Sequence, residues 1–134
     1  MDNAFIDTNV LLYSFDQRDS SKRQAATELI SSLGRTLFTS TQVLQEFYWN
    51  ATNKLKLTPS NATRVIEHLS FGHIVQVTPS LILASIDTGE RYRISFWDAL
   101  IIEAAVAGRC TVLYSEDLSH GQKLRGLRFQ NPFV

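Results

Sequence analysis

Short apolar runs alternate with longer stretches of helical periodicity along this chain. Ala4-Phe5-Ile6 ends abruptly in the polar triplet Asp7-Thr8-Asn9, and a short helix is predicted within Val10 to Phe15. From Ser21 to Leu33, Ala25, Ala26, Leu29, Ile30 and Leu33 recur at helical spacing, and Gly34 supplies the stop. Thr36-Leu37-Phe38 reads as a second strand. The Thr39-Ser40-Thr41 cluster offers an N-cap for a helix from Gln42 to about Leu55, with Leu44, Phe47, Tyr48, Ala51 and Leu55 as its expected apolar face. Thr58-Pro59 and Thr78-Pro79 each open a helix with proline at the first helical position. The former buries Val65, Ile66 and Leu69; the latter ends near Tyr92. Ile74-Val75-Gln76-Val77 between them is a third strand. Trp97 to Ala107 is helical with Gly108 as its stop, Thr111 to Tyr114 is a fourth strand, and Leu127-Arg128-Phe129 is the candidate fifth.

Strands separated by helices require right-handed crossovers and a mostly parallel sheet. The expected class is therefore α/β: one α/β/α sandwich around a central four- or five-stranded sheet. A length of 134 residues fits a single domain over 1–134, and 44% apolar residues supply a core without disulfides or a structural metal. Thirteen basic and thirteen acidic residues balance to zero, which excludes a strong overall positive field but not a local basic rim. Cys110 is the sole cysteine, so no intrachain disulfide forms, as suits a reducing compartment; its place at the mouth of a strand predicts a buried, inert thiol. No apolar run approaches the roughly 18 residues that span a bilayer, and no leader pattern opens the chain. A soluble, cytoplasmic protein is the expectation.

In parallel sheets ligands bind beyond the carboxyl ends of the strands. Asp7 follows the first strand directly and Asp117 follows the fourth after Ser115-Glu116. Glu46 lies about a turn into the helix after the second strand, and Asp98 sits in the first turn of the Trp97–Ala107 helix. Singly, each has a plainer reading: a turn-capping Asp, a dipole-favoured carboxylate, a solvated loop, a surface Glu. Jointly they place four acids at one sheet edge. Without a cation such charges repel and are pushed toward protonation. Hard divalent cations such as Mg²⁺ take this kind of all-oxygen donor set.

Four stretches carry a resemblance. Phe5-Ile6-Asp7-Thr8-Asn9-Val10-Leu11-Leu12 resembles the opening of PIN domains, and Thr41-Gln42-Val43-Leu44-Gln45-Glu46-Phe47 their second motif. Ser95-Phe96-Trp97-Asp98-Ala99-Leu100-Ile101 and Tyr114-Ser115-Glu116-Asp117-Leu118 are similar to the third and fourth, and the tail from Gly126 to Phe133 is similar to that of VapC-type toxins. The resemblance implies a Mg²⁺- or Mn²⁺-dependent endoribonuclease, the toxin of a bacterial or archaeal toxin–antitoxin pair. It implies an RNA substrate, 5′-phosphate products, a homodimer, and a small antitoxin that occludes the acidic cleft, for example with an Arg. By the same resemblance, Asp7, Asp98 and Asp117 hold the metal and Glu46 orients a water or completes a second metal's shell. Thr8 or Ser115 hydrogen-bonds the carboxylates, and Asn9 steadies the turn. Glu116 beside Asp117 departs from the family pattern and leaves open which of the two faces inward.

Nine basic residues are candidates for a phosphate-binding rim: Arg18, Lys22, Arg23, Lys54, Lys56, Arg91, Arg93, Lys123 and Arg125. Among them Arg91-Tyr92-Arg93, which pairs charge with an aromatic just before Asp98, is the most suggestive of substrate binding. His68, His73 and His120 have no zinc-ligand spacing with one another or with Cys110, and His120 is expected at the surface near the acids. Trp49 and Trp97 read as core or interface aromatics. No nucleophile elbow or Gly-rich phosphate loop is present. Two other classes stand beside the nuclease. A catalytically silent PIN-like module that binds RNA or a protein has no use for four mutually repelling acids. A phosphohydrolase of the haloacid-dehalogenase type would want an Asp where Asn9 stands.

Overall fold

A computed structural model describes residues 2–134. Strand β1 (Ala4–Ile6) is buried at all three positions, as a central parallel strand covered on both faces must be. Around it the chain adds α1 (Thr8–Tyr13), α2 (Ser20–Leu33), a 3₁₀ turn (Gly34–Thr36), β2 (Leu37–Ser40), α3 (Thr41–Asn53), α4 (Pro59–Ser70) and β3 (His73–Val75). Then follow α5 (Pro79–Tyr92), α6 (Phe96–Ala107), β4 (Val112–Tyr114), β5 (Lys123–Leu124) and β6 (Leu127–Gln130). The sheet order is β3-β2-β1-β4-β6-β5, parallel throughout except for the β5–β6 pair. The α/β/α class with its mostly parallel central sheet is as the pattern predicted.

The sheet has six strands where four or five were expected. The extra one, β5, is two residues long and too short to carry a periodicity. It returns on β6 through the two-residue turn Arg125-Gly126, both at positive φ (55° and 80°), the geometry of a tight type I′ hairpin. Side-chain oxygens of Ser40, Thr58, Thr78 and Ser95 each accept a backbone N–H three residues on, so four helices start at hydroxyl N-caps.

Two details differ from the sequence reading. On α3 the fully buried row is Val43, Phe47 and Ala51, while Tyr48 is exposed and Trp49 is 67% exposed. Those two aromatics flank the buried row rather than joining it, and Trp97, at 63%, is likewise outside the core. The stop at Gly108 has another cause than a left-handed conformation. Its φ is −79°, and the left-handed residue is Arg109 (φ 57°). A β-carbon at Gly108 would lie 2.7 Å from Cδ2 of Phe38, so close packing of α6 against β2 is what demands glycine. Helix α6 is buried continuously from Ala99 to Ala105 and forms the centre of the core with Phe5, Ile6, Phe47 and Leu113. Cys110 is buried as expected, and burial pushes its thiol up to about 12. Among the described residues no helix is long and apolar enough to cross a membrane.

Candidate active site

The carboxyl ends of β1 and β4 open into a cleft of about 240 Å³ lined by Asp7, Glu46, Asp98 and Asp117. All four acids picked from the sequence therefore face one space. Asp7 is both acid and cap. Its Oδ1 accepts from the Thr8 N–H (2.7 Å) and its Oδ2 from the Ser115 hydroxyl (2.8 Å), and it is 8% exposed. Burial raises its carboxyl to about 6. The bonds from Ser115 and Thr8 oppose that rise, and the charges of Glu46 and Asp117 add to it.

Glu46 projects from the second turn of α3, where Thr8 Oγ1 donates to its Oε1 at 2.7 Å. Asp117 accepts from Asn9 Nδ2 at 3.0 Å, and Asn9 Oδ1 in turn accepts the Glu116 N–H at 3.3 Å. The Asp-Thr-Asn triplet thus serves three separate carboxylates: its own, Glu46 through Thr8, and Asp117 through Asn9. Asp98 stands in the first turn of α6, half-buried, its N–H donated to the Ser95 hydroxyl.

The open choice between Glu116 and Asp117 has a geometric answer. Glu116 turns away from the cleft and pairs with Lys22, and Tyr13 donates to its other oxygen at 3.1 Å. Lys22 Nζ also lies 4.6 Å over the Tyr13 ring and 5.4 Å over that of Phe133. This clamp anchors the loop after β4 and leaves Asp117 to line the cleft. Of the basic candidates, Lys54 lines the cleft, whereas Arg91 is held by Asp87 one turn back on α5 and Arg93 caps that helix in the left-handed region. Neither Arg91 nor Arg93 is among the cleft's walls. His120 accepts the Asn131 N–H on the exposed surface.

Two residues not singled out in the sequence, Gln42 and Asn50, complete the walls. With Glu46 and the helix-capping Lys54 they recur every fourth position, so α3 turns one polar row into the cleft while Val43, Phe47 and Ala51 face the core. Gln42 Nε2 reaches Glu46 Oε2 at 3.5 Å, and its Oε1 is buried with no donor among the described residues. Asn50 donates to the Glu46 carbonyl at 2.8 Å.

Each acid except Asp98 is held by its own donors. Among the described residues no three His, Cys, Asp or Glu side chains stand as a preformed metal-holding group. The expected convergence is met as a shared cleft and not as a ready-made nest. The chemistry of the lining nonetheless suits a hard cation. Every ionisable acceptor in it is a carboxylate with no His or Cys among them, and among the described residues Asp7 is buried without a cationic partner and an amide oxygen lacks a donor.

The family model described as PIN domain matches residues 4–122. Among curated proteins none matches the chain. In solved structures the fold is similar to that of a toxin–antitoxin complex from Klebsiella pneumoniae, with 20% identity over 97% of this chain and 98% of that one and a TM-score of 0.73. A sarcin–ricin-loop-cleaving VapC toxin of Mycobacterium tuberculosis matches at 19% identity over 86% and 92%, TM-score 0.72. DNA-bound VapBC from Salmonella typhimurium matches at 17% identity over 98% and 99%, TM-score 0.67.

Proposed function

The chain belongs to the PIN-domain family, and from that premise we propose that it is a metal-dependent endoribonuclease acting as the toxin of a toxin–antitoxin pair. The observation that carries the reading is the single cleft in which Asp7, Glu46, Asp98 and Asp117 meet around a buried carboxyl raised to about 6. A carboxylate whose ionisation is opposed by burial and like charge is a group that gains by a divalent cation. Asp7, Asp98 and Asp117 are the residues to hold Mg²⁺ or Mn²⁺, with Glu46 beside them. When bound, the ion would supply Lewis-acid stabilisation of a phosphodiester and a water of lowered pKa. Ser115, Thr8 and Asn9 fix the rotamers of Asp7, Glu46 and Asp117 respectively, so little reorganisation is left for the moment of reaction.

The similar structures include a toxin–antitoxin complex and a sarcin–ricin-loop-cleaving toxin, which supports RNA as substrate and a small antitoxin as partner. A homodimer is part of the same proposal. The test is cleavage of single-stranded RNA in Mn²⁺ by wild type, Asp98→Asn and Glu46→Gln. Loss in both variants by about a hundredfold or more, and in wild type with EDTA, is expected. Cleavage that persists in either case refutes the nuclease assignment. RNA binding without cleavage by wild type would favour the silent binding module instead.

A further inference from the structure

The acidic cleft does not end at its acids. A second hollow, of about 160 Å³, shares Asn9, Leu12, Asn50 and Lys54 with it, so the two form one trench along the polar row of α3. The trench is electrically divided. One hollow carries Asp7, Glu46, Asp98 and Asp117; the other carries Arg18 with Asp16, and Lys54 lines both. Lys54 has no ion-pair partner among the described residues. Arg18 is braced: its Nε and Nη2 each donate at 2.9 Å to the two oxygens of Asp16, a carboxylate buried in the trench wall and held below its usual range by that guanidinium. The fork occupies one edge of the guanidinium. Nη1 makes no hydrogen bond among the described residues, and the Arg18 side chain is 71% exposed. Leu12 and Leu55 line the same hollow with apolar surface.

We infer that Lys54 and the Asp16-braced Arg18 form a binding subsite for a phosphate neighbouring the scissile one in single-stranded RNA, which fixes the direction in which the strand leaves the acids. This rests on the nuclease reading above. A polyanion entering a cleft of four carboxylates is repelled except along ground where cations outnumber free acids. Of the nine basic residues eligible from the sequence, only these two line the trench. Lys22 and Arg125 are tied to Glu116 and Glu103, and Arg91 to Asp87. A planar guanidinium with one edge fixed and the other open is the geometry that meets a phosphate with little loss of freedom, and Lys54 adds a mobile point charge. The apolar surface of Leu12 and Leu55 suits the ribose and base between phosphates. Contacts of this kind position the backbone and confer little sequence preference.

The experiment measures Kd for a short fluorescein-labelled single-stranded RNA by anisotropy in Ca²⁺ across a salt series, together with KM for its cleavage in Mn²⁺. Lys54→Ala is expected to lower the slope of log K against log salt by about 0.7, one single-strand phosphate, which is about fivefold in affinity at 0.1 M salt. Arg18→Ala should weaken binding further, because it also bares the Asp16 carboxylate, and adding Asp16→Asn should restore much of that excess. Arg64→Ala, a charge removed from the exposed face of α4, is the control and leaves slope and affinity as in wild type. If Lys54→Ala behaves like Arg64→Ala while wild type still cuts RNA, this subsite is refuted and the nuclease stands. A wild-type protein that binds RNA with the expected slopes but never cuts it overturns the nuclease and keeps the track. One that binds no RNA overturns both.

Discussion

Replacing Asp7 by Asn in chelated, metal-free protein is expected to stabilise the fold at neutral pH and to change little near pH 4. Asp7 is 8% exposed, and its carboxyl is raised from 3.8 to about 6, chiefly by burial and then by the charges of Glu46 and Asp117. In the window between those two values the native state keeps a proton that the unfolded chain has given up, so stability falls as pH rises through it. The contribution is complete below about 3.8 and gone above about 6. The rise from 3.8 to about 6 corresponds to about 3 kcal/mol lost on ionisation at neutral pH. Asn carries no charge to desolvate. It can keep the bond from the Thr8 N–H, and the Ser115 hydroxyl can turn to accept from its amide, at a cost of about 1 kcal/mol for imperfect pairing. The variant should therefore gain about 2 kcal/mol at neutral pH, read from urea unfolding in EDTA at several pH values. The gap between variant and wild type should close as the pH approaches 4. A gap that is independent of pH, or a variant destabilised at neutral pH, would refute the account of Asp7 as a buried carboxylate lacking a counter-charge.

Asp117→Asn is expected to abolish RNA cleavage, whereas Glu116→Gln, which touches the Lys22 clamp and not the cleft, should retain most of it; equal losses would contradict the assignment of Asp117 as the inward acid. Gly108→Ala should cost about 1–3 kcal/mol, since its new methyl would sit 2.7 Å from the Phe38 ring, and thermal unfolding unchanged from wild type would refute the close-packing argument. Cys110 should resist thiol-specific labelling at neutral pH until the protein unfolds, given its burial and a thiol pushed up to about 12; rapid native-state labelling would show a looser α6–β4 junction.

How much of this was legible depended on whether the signal was local. Asp7-Thr8-Asn9 at a strand end, the Thr-Pro helix starts and the Ser40 cap are short-range chemistry, and the chain displays them plainly. Placing the four acids in one cleft needed only the rule that parallel strands expose their carboxyl ends together. The polar row Gln42-Glu46-Asn50-Lys54 was equally local but lay hidden behind the aromatics of α3. Reading Tyr48 as part of the apolar face rotated the expected helix and obscured the row that lines the cleft. The roles of Glu116 and Arg125 were beyond any local reading. Each is decided by a partner distant in sequence: Lys22 for the one, buried Glu103 for the other. The brace of Asp16 on Arg18 is close in sequence, yet its importance lies in the trench that α1 and α3 build together. Strand β5 exists because a two-residue turn lets it pair with β6, and its own residues carry no strand signature.

Titrating Mn²⁺ into metal-stripped protein by calorimetry puts the central claim to its plainest test. A saturable site in wild type at neutral pH that is lost in Asp7→Asn, Asp98→Asn and Asp117→Asn, and that weakens as the pH falls below about 6, is the expected result. No saturable binding in wild type, or binding that all three variants retain, would mean that these carboxylates share a cleft without sharing a cation.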